Sequence, residues 1–409
     1  MSYFEKCAVT TQDSPAIDAF GRWRVSEPET IFDSKQLHDA APLFFDDQEV
    51  SGASTTSSHS TATASTTMGV ALNTAGKRVR QTFMRFNYQP GKSQLILLTG
   101  TLGETGGGTG ITRAMGLFDD DDGIFMRDNE GTVEAVIRSS TSGSAVDNAV
   151  TQANWNLDTM DGNGPSGVTL DATKSQIVAI DFEWLGVGRV RIGFVVDGAF
   201  IYVHEFLHAN RSAGVYMSTP NLPIRYEIEN DGTGAASELE HICCSVMSEG
   251  GIQDNGLLQY ESTGGTHVDC NADGTVYAIM GGRLKSTHLD ASIKLVEATV
   301  AEVQGSNSYE WLLLAGATVA GTFTYADKTN SAVQIAKGVT ANTVTGGTVI
   351  AGGFASSATK GGSSGAALSN AILLGSAIDG TPQEFVFAIR PISSSNLDIE
   401  ASMTWRELL

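Results

Sequence analysis

His204-Glu205-Phe206-Leu207-His208, inside the stretch YVHEFLHAN, matches the H-E-x-x-H spacing of zinc hydrolases. On a helix this spacing puts both imidazoles on one face, one turn apart, where they share a metal ion. The preceding residues, GFVVDGAFIYV, point to a strand instead, because Asp-Gly between two alternating runs is a hairpin signature. On a strand, Phe200, Tyr202, His204 and Phe206 are expected on one face, with Ile201, Val203, Glu205 and Leu207 on the other. His204 and His208 would then stand about 13 Å apart. Zinc–ligand bonds are about 2 Å, so no metal is expected to bridge the pair.

Other groups invite the same scrutiny. Asp181 and Glu183, in AIDFEWLG, are two apart, hence roughly 6–7 Å apart on one strand face. Carboxylates near that spacing hydrolyse glycosides. The alternative is a face paired with Arg189 and Arg191 on the next strand, which is the expected reading. FDDDDGIF, from Phe118, offers oxygen ligands for Ca²⁺. It has Phe118 where the EF-hand loop needs its first acid, and it is read as a hairpin turn. GETGGGTG, residues 103–110, lacks the Lys-Ser/Thr of a phosphate-binding loop. GKRVRQTFMRF mixes Lys77, Arg78, Arg80 and Arg85 with aromatic residues, as single-strand binders do, but reads better as a β face paired with acids. Cys7, Cys243, Cys244 and Cys270 form no CxxC, and the adjacent pair points to opposite faces of a strand. No catalytic, cofactor-binding or metal-binding residue is therefore expected.

These groups sit in a chain built for strands. Charged residues are 17% of its 409 residues, below the typical share of about 25%. Gly, at 46 residues, is abundant, and short apolar runs alternate with turn signals. The net charge, 25 − 46 = −21, disfavours nucleic acid and anionic membrane as partners. No run of about 18 apolar residues could span a bilayer as a helix. The N-terminus, MSYFEKCAVTTQDSPAIDAF, has no apolar segment of a secretory signal, so synthesis and assembly in a host cytoplasm are expected.

Three segments are predicted. Residues 1–50, interrupted by Pro15, Pro28 and Pro42 and without a sustained period, read as an extended arm. Residues 51–250 read as an antiparallel β-sandwich or jelly roll, with strands in TTMGVAL, RVRQTFMRFNY, QLILLTGTLG (a buried run), SQIVAIDFEW and RVRIGFVV. Phe182, Trp184, Phe194 and Val196 are expected in its core. EGGIQDNG, residues 249–256, marks a boundary, and residues 251–409 read as a second β-sandwich. The arm carries Phe4, Phe20, Trp23, Phe32, Leu37, Leu43, Phe44 and Phe45. That much apolar surface without a core of its own predicts docking on a neighbouring copy, in a homo-oligomer expected to be a trimer.

Several stretches resemble a family of tailed-bacteriophage virion proteins common in aquatic viral genomes. They include AFGRWRVSEPETIFDSKQLHDAAPLFFDDQEVSG, RFNYQPGKSQLILLTG, VDNAVTQANWNLDTMDGNGPSG, YMSTPNLPIRYEIENDGTG, LEHICCSVMSEGG and DIEASMTWREL. The middle segment also resembles the concanavalin-like jelly roll, through strand order and the hairpin DFEWLGVGRVRIGFVVDG. Glycosidases of that type carry Glu-x-Asp-x-(x)-Glu on a strand, and Ala179 stands where the first Glu would be. The resemblance implies a non-enzymatic structural component of the virion surface. It would be associated with tail fibre or baseplate, contact other virion proteins, and serve host recognition through a surface glycan. The alternatives are a capsid (head) decoration protein and a glycan-cleaving jelly-roll enzyme.

Overall fold

The computed structural model describes residues 26–103, 108–304, 307–356, 362–363, 374–393 and 396–408. The described chain is all-β: two antiparallel sandwiches in succession, with one 3₁₀ turn at Gln152–Asn154 as the helical element among the described residues.

In chain order the first unit contains β1 (Glu29–Lys35), β2 (Phe45–Gly52), β3 (Thr56–Ser60), β4 (Ser65–Val70), β5 (Gly76–Thr82), β6 (Gln94–Thr101), β7 (Ile111–Phe118), β8 (Gly123–Asn129), β9 (Thr132–Ser139), β10 (Val146–Thr151), β11 (Ser175–Phe182), β12 (Val190–Val196), β13 (Ala199–Phe206), β14 (Ile224–Asn230) and β15 (Ser237–Ser248). One sheet runs β13-β12-β11-β6-β15-β4-β3, with β1 also paired to β15. The other runs β10-β9-β8-β7-β14-β5-β2.

The two-residue period sorts these strands onto their faces. Val178, Ile180 and Phe182 of β11 point inward with Val190, Ile192 and Phe194 of β12, and meet Met115, Met126, Ile137 and Tyr226 of the facing sheet in one buried core. Phe182 and Phe194 are fully buried there, and Trp184 and Val196 pack against its margin. Each such side chain contributes on the order of 1.5–3 kcal/mol on burial. QLILLTGT is not buried on both sides: Ile96 and Leu98 face the core, while Leu95 and Leu97 are half-exposed on the outer face of a sandwich sheet. The Asp197-Gly198 turn has φ of 50° and 80°, the two positive values a type I′ hairpin requires.

The N-terminal boundary differs from the expected arm. Residues 1–25, with Cys7, Phe4, Phe20 and Trp23, lie outside the described residues. Beyond them, β1 pairs with β15 from Glu29↔Ser248 to Lys35↔Cys243, and β2 pairs with β5 across the expected boundary at 50. Phe32 and Phe45 are core residues of the first sandwich. The period is hidden because the inward positions after Phe32 are polar. Ser34 and Gln36 are buried, and Gln36 Oε1 accepts from Arg80 Nη2 at 3.1 Å and from Thr66 Oγ1 at 3.2 Å. Arg80 is itself nearly fully buried, donating also to His241 Nδ1 at 3.1 Å and pairing with Asp47 at 3.2 Å. Leu37, Leu43 and Phe44 remain exposed.

Residues 249–256 lead into a second sandwich of a six-stranded and a five-stranded sheet among the described residues. Ile279, Leu295, Leu313, Phe387, Ile399, Met403 and Trp405 lie in its core. The two sandwiches touch. Ser292 Oγ donates to the Arg85 carbonyl at 3.1 Å, the Ser376 amide to the Phe83 carbonyl at 3.0 Å, and the Ile378 amide to Asp46 Oδ2 at 2.8 Å. A cavity of about 500 Å³ lies between them, walled by Leu43 and Phe83 on one side and Ile293, Leu313 and Phe385 on the other.

Candidate ligand-binding face

Two of the motifs read from sequence meet on the outer face of the first sheet, at its β13 edge. β11 and β12 pair Asp181 with Arg191 and Ala179 with Gly193. β12 and β13 pair Arg191 with Glu205. The next pairs are Ile192↔His204 and Gly193↔Tyr202, so Val203 is an extra residue, a β-bulge. The bulge reverses the facing of the strand. Phe200 and Tyr202 point outward with Glu205, whereas Val203, His204 and Phe206 are buried. The expected clean alternation from Phe200 to Phe206 therefore does not hold, although the strand does. An isolated Gly in the partner strand was the available signal. A Cβ on Gly193 would lie 2.1 Å from the Ile201 carbonyl oxygen and 2.6 Å from Tyr202 Cα, so only Gly admits the bulge at this position.

The bulge creates a small aromatic platform. The rings of Phe200 and Tyr202 lie 6.1 Å apart at 31°, with Phe200 48% exposed. The Arg191 guanidinium sits over the Tyr202 ring, 4.3 Å from its centroid. Arg191 Nη2 is ion-paired with Asp181 Oδ2, and the Tyr202 hydroxyl donates to the same oxygen at 3.2 Å. Burial, then the charge of Asp181, pushes the Tyr202 phenol up to about 12. It thus stays a neutral donor at physiological pH. A planar cation and two rings border the buried residues Ala179 and Gly193, and the buried Asp181 carboxylate holds the cation and the phenol in place.

Glu183 does not join Asp181 on this face. β11 ends at Phe182, and Glu183 lies in the turn, where its amide donates to the Arg189 carbonyl at 3.0 Å and its Oε1 accepts from the Arg189 amide at 3.3 Å. Arg189 reaches Glu205 at 3.7 Å. Asp181 is thus the Arg-paired member of the expected carboxylate couple.

The two imidazoles of the H-E-x-x-H match have separate partners. His204 Nδ1 accepts from the Asn156 amide at 3.2 Å, and burial lowers its pKa. His208 Nδ1 donates to the Gly188 carbonyl at 2.7 Å, and its ring stacks on Tyr216 at 4.2 Å.

The Asp119–Asp122 acids form the β7–β8 turn, and three of the four are held individually. Asp119 pairs with Arg85, Asp120 with Arg225 at 2.8 Å, and Asp122 Oδ1 accepts from the Ser218 amide at 2.9 Å. The basic stretch is likewise paired: Lys77 with Glu227 at 2.7 Å, Arg78 with Asp47 at 2.6 Å, and Arg80 with Asp47. Of residues 103–110, positions 104–107 lie outside the described residues. Cys243 and Cys244 point to opposite faces of β15 and, like Cys270, are free thiols. Burial, then the charge of Cys243, raises the Cys244 pKa strongly.

The outer face of the other sheet carries an ionic lattice. Arg127 pairs with Glu134 at 2.8 Å and with Asp147 at 2.7 Å, and Arg138 pairs with Asp147 at 2.8 Å. These groups cover the stacked rings of Phe118 and Phe125, 4.3 Å apart. Burial works to raise the Asp147 pKa, but the hydrogen bonds and charges of Arg138 and Arg127 outweigh it and hold the carboxyl low.

No family model matches the sequence, and no curated protein is similar to it in sequence. Among solved structures, the chain is similar to the endo-1,3-beta-glucanase from Streptomyces sioyaensis (10% identity, TM-score 0.36, covering 58% of this chain and 100% of that one). It is also similar to the CBM2 module of the Lactobacillus casei BL23 phage J-1 evolved Dit (8% identity, TM-score 0.37, 56% and 100%). Peanut lectin is a further similar structure (10% identity, TM-score 0.28, 55% and 98%).

Proposed function

We propose that this chain is a non-catalytic structural protein of a tailed-phage virion, exposed on the particle at tail fibre or baseplate, and that it binds host-surface glycan through Phe200, Tyr202 and Arg191, the last two held in place by Asp181. The observation that carries the glycan reading is the outward aromatic pair set beside a hydrogen-bonding Asp–Arg couple. Sugar rings offer apolar C–H faces to aromatic side chains and hydroxyls to guanidinium groups, and this face presents both, with the buried Asp181 holding Arg191 and Tyr202 in place. The virion role is drawn from the sequence resemblance. Against hydrolysis, Asp181 is tied to Arg191, Glu183 is turned into the β11–β12 loop, and Ala179 supplies no second acid.

The test is retention of bacterial surface polysaccharides on immobilised full-length protein, with reducing ends assayed in the same samples. Wild type is expected to retain polysaccharide, Phe200→Ala to lose retention, and no new reducing ends to form. A panel with no retained polysaccharide, or retention untouched by Phe200→Ala, overturns the glycan site. New reducing ends overturn the non-catalytic reading. Immunogold labelling of intact particles separates tail from head, and labelling of the capsid would replace the tail assignment with head decoration.

A further inference from the structure

The second sandwich brings two carboxylates face to face with one imidazole beside them. The short strand Val268–Asp269 pairs with the strand Asp398–Leu408 through Val268↔Ile399 and Asp269↔Asp398. Val268 and Ile399 are fully buried, so His267, Asp269 and Asp398 fall on the opposite face. Like charges directly opposite on a sheet repel each other. Among the described residues, the ion-pair partner of both carboxylates is His267: its Nε2 is 3.2 Å from Asp269 Oδ1 and 3.6 Å from Asp398 Oδ2. The Asp398 side chain is only 8% exposed, and 3.6 Å is longer than a hydrogen bond. A carboxylate buried to this degree needs compensation.

We infer that His267, Asp269 and Asp398 form a three-ligand site for a divalent transition-metal ion, Zn²⁺ in the first instance. The three ligand atoms lie within 4.8 Å of one another. Tetrahedral neighbours around an ion with bonds of about 2.1 Å are about 3.4 Å apart. The two measured N···O separations lie on either side of that value. Imidazole favours Zn²⁺ over Ca²⁺ and Mg²⁺, which prefer all-oxygen sets. Water completes the shell, and the half-exposed His267 and Asp269 leave a route of entry. The ion would neutralise the opposed carboxylates and staple the short strand to the C-terminal strand. Residues 129 positions apart in sequence would thereby be cross-linked.

The test is titration of EDTA-stripped full-length protein with Zn²⁺, read by calorimetry and by thermal melting. One Zn²⁺ per chain is expected, with a rise in Tm that His267→Gln and Asp269→Asn each abolish. Both residues are half-exposed, so these variants should fold. Asp398→Asn should weaken binding roughly tenfold or more. It should also melt no lower than wild type without metal, because one of the opposed charges is gone. Zn²⁺ binding that survives His267→Gln and Asp269→Asn overturns the site. So does a wild type with no saturable binding and no Tm response, which would leave an imidazole–carboxylate ion pair only.

Discussion

The Tyr202 hydroxyl donates to Asp181 Oδ2 at 3.2 Å, reaching across β12 from β13 to β11. The contact holds the ring flat beneath the Arg191 guanidinium. It depends on the bulge at Val203, without which Tyr202 would share the inward facing of His204.

The same contact has a pH signature. The Tyr202 pKa rises from about 10 in the unfolded chain to about 12 in the fold, through burial and then the Asp181 charge. A raised folded pKa adds stability that is complete below the unfolded value and lost as pH climbs toward the folded one. Tm should therefore fall between about pH 10 and about pH 12, and less steeply in Tyr202→Phe. Part of the fall should persist in that variant, because burial also pushes Tyr309 up to about 12. Melting curves across this range decide it, and identical slopes for the two proteins would refute the assignment.

Arg80 should matter to stability far more than any surface cation. Its guanidinium meets Asp47, Gln36 and His241 inside the first core and packs over the Phe45 ring at 4.5 Å. Burial, then Arg80, holds the His241 pKa well below its ordinary value, so the neutral imidazole accepts. Arg80→Ala takes the donor from the buried His241 Nδ1, while Asp47 keeps Arg78 and Gln36 keeps Thr66, and it should cost about 1–3 kcal/mol. Arg189→Ala, which removes an exposed pair, should cost about 0–1 kcal/mol. Urea denaturation measures both.

Proteolysis in the 249–256 segment should not separate the sandwiches under native conditions. The segment is tied down, with Lys92 Nζ donating to the Gly251 carbonyl at 2.7 Å and the Ile252 amide to Glu29 Oε2 at 2.8 Å. The units also share the contacts made by Ser292, Ser376 and Ile378. Cleaved chains should co-elute on size exclusion and part only in denaturant. Two separate peaks in native buffer would contradict a fixed interface.

We expect a homotrimer in solution, and the informative truncation is one that spares β1. Removing residues 1–48 would delete β1 and part of β2 from the first sandwich. Removing residues 1–25 takes Phe4, Phe20 and Trp23 and leaves every described strand in place. Light scattering should give three chains for the full protein and one for the shortened one. A monomeric full-length protein, or an unchanged mass after truncation, would end the proposal.

The sequence by itself determined what depends on local period and turn chemistry. Alternation in SQIVAIDF and RVRIGFVV marked the inward residues, Asp197-Gly198 marked the hairpin, and Phe200–Phe206 was legible as a strand. Asp181 facing Arg191 follows from the same hairpin. Tertiary structure decided the rest, because those features depend on pairing between distant segments. β1 was hidden since its inward Ser34 is polar and accepts from Gln36, just beyond the strand, which in turn serves the buried Arg80, a partner no periodic pattern can reveal. The outward turn of Tyr202 came from a one-residue slip between strands, to which the two-residue period is blind. His267 and Asp269 are two apart in the sequence, but the register of the last strand, not any local signal, sets Asp398 against them.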